Sequence, residues 1–184
     1  MSPLRDVAVF CGSRLGNRPA FAAAAASLGA GLAARGIGLV YGGASVGLMG
    51  VVADAVLGGG GRSVGVIPGA LADHEIAHQG LHRLEIVGSM HERKARMAEL
   101  SDAVIMLPGG FGTYEEFTET VTWVHLGIHD KPCAVLNTEG FFNLLLTFLE
   151  QAVDLGFIAP QLVDALVVAD DPDELLTALT TSLS

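Results

Sequence analysis

AVIMLPGGFGTYEEF, residues 103–117, changes character twice within fifteen positions. It opens as a short apolar run of the kind that forms a strand covered on both faces. The run stops at Pro108 and gives way to Gly109, Gly110 and Gly112. Thr113 followed three residues later by Glu116 has the spacing of a capping box and predicts a helix over about 113–127. Strand, tight glycine turn, helix: this is one βα unit.

The same unit recurs along the chain. Apolar, valine-rich runs lie at 7–11, 38–42, 63–67, 83–87, 133–137 and 165–169. Helical spacing fills most gaps, at 18–36, 47–58, 89–101, 141–154 and 172–182. Regular βα alternation predicts an α/β fold with a doubly wound parallel sheet. The glycine run at 57–62 reads as a connection, so residues 1–184 form a single domain.

Composition narrows the function. A formal net charge of −10 repels nucleic acid at long range, so no nucleic-acid partner is expected. No apolar run reaches the length of a membrane span, and MSPLRDVAVF lacks a signal-peptide layout. No membrane association is expected. Cys11 and Cys133, the only cysteines, read as reduced thiols, and the chain reads as cytoplasmic.

In a parallel sheet ligands bind outside the carboxyl ends of the strands. The turns there read CGSRLGN (11–17), YGGASVGLMG (41–50), VGSMHERKARM (87–97) and PGGFGTYEEF (108–117). Glycine turns leading into helix N-termini make anion sites, through free N–H groups and the helix dipole. Neither the phosphate loop ending in Gly-Lys-Ser/Thr nor the dinucleotide fingerprint is present. Ser89 and Glu92 form a capping box, and Arg93, Lys94 and Arg96 fall just behind it. These cations oppose the helix dipole. A solvated face is the plain reading. An anion site is the sharper one, with Arg93 as a planar fork and Lys94 as a point charge. Glu116 read plainly is a cap. The neighbouring glycines, costly to order together, suggest instead that backbone approaches a phosphorylated sugar while Glu116 faces its anomeric carbon.

PGGFGTYEE fits the pattern PGGxGTxxE, and MHERKARM accompanies it. Together they resemble the LONELY GUY family of cytokinin-activating enzymes, some of which carry a lysine decarboxylase-like label. The likeness extends to VFCGSRLGNRPAF, YGGASVGLMGVVADAV, GVIP and TWVHLGIHDKP, over roughly residues 7–160. It implies a Rossmann-like fold and a homodimer. It also implies hydrolysis of N6-substituted adenosine 5′-monophosphates to free base and ribose 5-phosphate, with no cofactor and no metal. By resemblance Arg93 and Glu116 match the catalytic pair, and Lys94, Gly110, Gly112, Thr113, Thr122 and Glu75 match substrate contacts. Candidate substrate-binding residues on the same turns are Gly12, Ser13, Gly43, Met90, Gly109 and Glu115.

Other chemistries fit less well. His74, His78 and His82 are spaced by four, but Gly80 interrupts the helix and no cysteine joins them. Cys11 has no histidine close in sequence to activate it. Trp123, Val124 and Leu126 read as a packed helix face or a dimer seam. Lysine decarboxylation needs a Schiff-base lysine, and Lys94 and Lys131 are the only two lysines. The alternative function is a non-catalytic carrier of a phosphorylated ligand, such as the molybdenum cofactor. The pairing of Arg93 with Glu116 distinguishes the two, because a carrier of an anion gains little from a carboxylate there.

Overall fold

A computed structural model describes residues 4–72 and 77–182. Seven parallel strands form one sheet in the order β4-β3-β2-β1-β5-β6-β7. They are β1 (Asp6–Phe10), β2 (Gly38–Tyr41), β3 (Ser63–Pro68), β4 (Arg83–Val87), β5 (Ala103–Met106), β6 (Cys133–Leu136) and β7 (Val167–Ala169). The helices are α1 (Pro19–Ala34), α2 (Gly47–Gly58), α3 (Gly69–Ala72), α4 (Met90–Glu99), α5 (Phe111–His125), α6 (Asn143–Asp154), α7 (Pro160–Asp164) and α8 (Pro172–Ser182). The expected Rossmann-like doubly wound architecture is what the chain adopts.

The central strands are apolar throughout because both faces are covered. Val7, Val9 and Cys11 join Leu28 and Leu32 of α1, Val52 of α2 and Leu176 of α8 in one core. Ala8 and Phe10 point the other way, into a second core with Met97 of α4 and Phe117 of α5. The alanine-rich α1 lies tight on α2. A Cβ at Gly29 would stand 2.6 Å from the Val52 carbonyl oxygen, so the crossing depends on the missing side chain. None of the described helices is long and apolar enough to cross a membrane.

Several boundaries differ from expectation for local reasons. The Ser89 hydroxyl caps α4 by accepting from the Glu92 N–H at 3.1 Å. Glu92 returns to the Gly88 N–H at 2.7 Å, one residue before the usual partner. At α5 the capping-box reading of Thr113 and Glu116 is overturned. The N-cap is Gly110, in an extended conformation with no side-chain cap, and the helix starts at Phe111. Thr113 is therefore inside the first turn, buried, with its hydroxyl turned to Gly109, where an added Cβ would lie 2.1 Å from Oγ1. The short helices α3 and α7 were not anticipated. Ala165 caps α7, which trims β7 to three residues.

Both cysteines are buried and unpaired with each other. Burial pushes the Cys133 thiol up to about 12. It pushes Cys11 up as well, assisted by the negative charge of Glu116 and opposed by Arg93. A thiol held protonated and out of solvent does not react. Native protein at neutral pH is therefore expected to give no colour with a disulfide thiol reagent, and two equivalents after unfolding in urea. Rapid labelling of the native protein would contradict the packing at β1 and β6.

Candidate active site

The chain runs outward from β1 through β2 and β3 to β4, then returns to β5 and proceeds the other way. The loops after β1 and β5 therefore part at the sheet's carboxyl edge and leave a crevice, the usual ligand position in such folds. Backbone bonds fix its floor: the Gly12 N–H donates to the Pro108 carbonyl at 3.0 Å, and the Leu48 N–H to the Gly12 carbonyl at 3.0 Å. The resulting cleft of about 470 Å³ is lined by Gly12, Ser13, Arg14, Gly109 and Gly110, with Phe21, Leu48 and Phe141 at one side.

The N-terminus of α5 opens onto this cleft through Gly110, and its first-turn N–H groups lack helical acceptors. Gly109 is explained within the chain, since a side chain there would collide with Thr113 and Gly12. Gly110 serves as the N-cap of α5, a position that suits glycine, but Gly112 inside the first turn has no such explanation. A Cβ at either would meet nothing within 4 Å, and neither has a positive φ. Glycine inside the first turn of a helix costs about 1 kcal/mol relative to alanine. The chain accepts that cost where its backbone faces open space, which fits close approach by a ligand.

Arg93 and Glu116 meet each other near Cys11, at the carboxyl end of β1, though neither lines the cleft itself. Arg93 projects from α4 with its side chain 6% exposed, and Glu116 from the second turn of α5 with its side chain 11% exposed. Arg93 Nε stands 4.0 Å from Glu116 Oε1. Nη1 contacts the Met90 sulfur at 3.7 Å, while Nε is buried with no hydrogen-bond acceptor. An unsatisfied buried N–H costs about 1–3 kcal/mol, so its persistence points to an acceptor that arrives with a ligand. Both charges act on Cys11, which directly precedes Gly12 on the cleft wall. Glu116 lies one helical turn beyond Thr113, whose hydroxyl packs on the glycine turn.

The basic trio behind Ser89 does not form one anion patch. Lys94 is buried and its ammonium bridges Glu115 and, at 2.9 Å, Glu119 on α5. Arg96 pairs with Glu85 at 2.7 Å and Glu99 at 2.8 Å. The Arg96 hydrogen bond holds the Glu85 carboxyl below its ordinary range. The expected point charge on a phosphate is thus spent on clamping α4 to α5. Burial lowers the Lys94 pKa, but the bonds to Glu115 and Glu119 outweigh it and leave the net shift upward. A raised lysine pKa adds stability that is present at neutral pH and is lost only as the pH climbs through that raised value. Lys94→Met is expected to destabilise the fold by about 1–3 kcal/mol in urea unfolding, less than a fully buried pair because Glu115 is half exposed. An unchanged midpoint would show the clamp to be idle.

Other candidate residues scatter. Ser13 stands exposed on the cleft wall. Gly43 has φ +78, packs on Gly65 and Leu84, and is not among the residues lining the cleft. Thr122 donates to the Thr118 carbonyl at 2.7 Å and lines a separate apolar groove with Phe117 and Val121. It sits six residues past Glu116, about 9 Å along the helix and turned to a different side. Glu75 and His74 lie outside the described residues. His78 pairs with Asp54 at 3.0 Å, and His82 Nδ1 accepts from the Ser63 N–H at 3.4 Å, so each is engaged elsewhere. Among the described residues no group of three potential metal ligands converges. Arg14 was missed in the sequence; its only signal was its place in the turn after β1.

The two lysines do not fit a pyridoxal phosphate Schiff base. Lys94 is held by two carboxylates, and Lys131 Nζ donates to the Ala98 and Ser101 carbonyls at the end of α4. Neither amine faces the cleft, so no step through that cofactor follows.

A family model described as "Possible lysine decarboxylase" matches residues 49–179. A probable cytokinin riboside 5′-monophosphate phosphoribohydrolase of Oryza sativa subsp. japonica is 49% identical over 178 residues, covering 97% of this chain and 77% of that protein. A cytokinin riboside 5′-monophosphate phosphoribohydrolase of Arabidopsis thaliana is 48% identical, covering 97% and 84%. Among solved structures, the molybdenum cofactor binding protein of Rippkaea orientalis superposes over 100% of both chains with a TM-score of 0.76, at 20% identity. The molybdenum cofactor carrier protein of Chlamydomonas reinhardtii gives 0.74 at 21% identity over 98% of each chain. These two likenesses show a shared fold. Near-half identity along almost its whole length places the chain in the family of cytokinin riboside 5′-monophosphate phosphoribohydrolases, which resolves the decarboxylase label as one its lysines do not support.

Proposed function

We propose that the chain hydrolyses the N-glycosidic bond of adenosine 5′-monophosphates, N6-substituted ones included, to free base and ribose 5-phosphate. The observation that carries this is the buried Arg93, whose Nε lacks an acceptor 4.0 Å from the carboxylate of Glu116, both charges acting on Cys11 at the carboxyl end of β1. The phosphate takes the α5 N-terminus, where the Gly110 and Gly112 backbone is unobstructed and Arg14 adds an exposed cation. Arg93 offers its free N–H to a sugar or phosphate oxygen and fixes the anomeric carbon. It positions rather than protonates, since a guanidinium keeps its protons. As the bond to the base breaks, positive charge builds on the ribose, and Glu116 stabilises it and orients the attacking water. Lys94, Glu115 and Glu119 hold α4 against α5 and so keep Arg93 and Glu116 in register.

The carrier reading shares the fold and the glycine turns. It does not account for a carboxylate beside the arginine. In our reading the chain acts as one nucleotide-binding domain in the reducing cytoplasm, where both thiols stay free.

The chain also acts as a homodimer through α5 and its neighbours. Leu144 is 87% exposed, Phe157 85% and Leu126 64%, and α6 has no buried residue, an apolar face larger than a lone chain should present. Light scattering at micromolar concentration should give twice the chain mass; a monomer would contradict this.

The phosphate assignment is tested by comparing kcat/KM for AMP and adenosine. Binding energy from the phosphate positions the sugar, so the nucleoside should be cleaved poorly or not at all. Equal efficiency on both would overturn the placement of phosphate at α5.

A further inference from the structure

Gly42 follows β2 directly and lies against the guanidinium of Arg93. A Cβ built there would stand 2.0 Å from Nη2 and 3.1 Å from Cζ of that arginine. The other close neighbour is the Met49 sulfur at 3.1 Å. Gly42 has no positive φ, unlike Gly43 and Gly47 in the same loop. Its backbone therefore suits alanine, and the loop geometry does not explain the glycine. What a side chain would displace is the guanidinium.

We propose that Gly42 is a positioning residue for the reaction: its missing side chain is the seat that holds Arg93 beside Glu116. The inference rests on the reading of Arg93 and Glu116 as the pair that meets substrate. Arg93 is confined on its other side by the Met90 sulfur at 3.7 Å and is almost wholly buried. The guanidinium is thus held between the Gly42 backbone and the Met90 sulfur. Ordinary contact between heavy atoms is about 3.5–4.0 Å, so a methyl group at Gly42 pushes Nη2 more than about 1 Å. The displaced atom is the tip of a flexible side chain. The fold gives way there easily, while the separation of 4.0 Å between Arg93 and Glu116 does not survive. A misplacement of about 1 Å can cost on the order of 10²-fold in rate.

The test is Gly42→Ala alone and combined with Arg93→Ala, read three ways. In the otherwise wild-type chain, kcat for base release from a 5′-monophosphate should fall about 10²-fold with the thermal midpoint nearly unchanged. Once Arg93 is alanine there is nothing left to displace, so adding Gly42→Ala should cost no further activity. Affinity for ribose 5-phosphate by calorimetry gives the same cycle without requiring turnover. The crystal structure of Gly42→Ala should show the guanidinium shifted and the β2 backbone in place. Equal losses in both backgrounds, or an unmoved Arg93 over a shifted backbone, would overturn the proposal. Failure of the wild-type chain to release base from any monophosphate would instead overturn the functional reading, and the crystal structure would still decide whether Gly42 seats Arg93.

Discussion

Glu116→Gln is expected to slow base release by about 10²-fold or more, the scale of a lost electrostatic or acid–base group, while leaving the protein folded and able to bind nucleotide. The substitution keeps size and shape and removes charge. Even a capping role would survive the change, since glutamine serves in a capping box as glutamate does, so a loss of rate reports the charge alone. Gly110 is in any case the N-cap of α5, and Glu116 sits in the second turn facing Arg93. The affinity for AMP should be kept or improved, because a carboxylate beside a phosphorylated sugar repels the ground state that it helps the transition state to leave. Turnover near wild type would refute the role of Glu116.

Arg93→Ala should lower kcat/KM for the monophosphate by about 10²–10³-fold, through lost positioning and a lost donor in a site shielded from water. Lys94→Ala should lose much less per folded molecule. The two cations are adjacent in sequence, yet Arg93 keeps an Nε without an acceptor, whereas Lys94 is clamped by Glu115 and Glu119. Its removal is expected to appear mainly in stability. Steady-state kinetics on both variants, with unfolding midpoints as control, separates the roles. Equal losses in kcat/KM at full folding would return Lys94 to the phosphate.

How far the sequence could be read is clearest at these helices. All seven strands stand at the apolar runs, five of them closed within two residues by glycine or proline, and in the central strands burial on both faces leaves a continuous apolar signal. The capping box at Ser89 was legible, being a local hydrogen bond between residues three apart. The same spacing at Thr113 misled. There, burial of Thr113 against Gly109 outweighed local capping and moved the helix start to Phe111. The trio Arg93, Lys94 and Arg96 looked like one patch because sequence shows sign and spacing, not direction. Arg96 turns back to Glu85 on the preceding strand β4, while Arg93 and Lys94 meet Glu116, Glu115 and Glu119 on α5, across the intervening strand β5. The contact between Gly42 and Arg93 was likewise invisible, since a glycine in a turn carries no mark of what lies over it.

The most direct test of the central claim is product analysis. Purified protein is incubated with AMP and with N6-isopentenyladenosine 5′-monophosphate, and the mixture is resolved by chromatography and mass spectrometry. The account predicts free base and ribose 5-phosphate in equal amounts. Tight nucleotide binding with no base released from either substrate would contradict it, and would favour a carrier of the phosphorylated ligand.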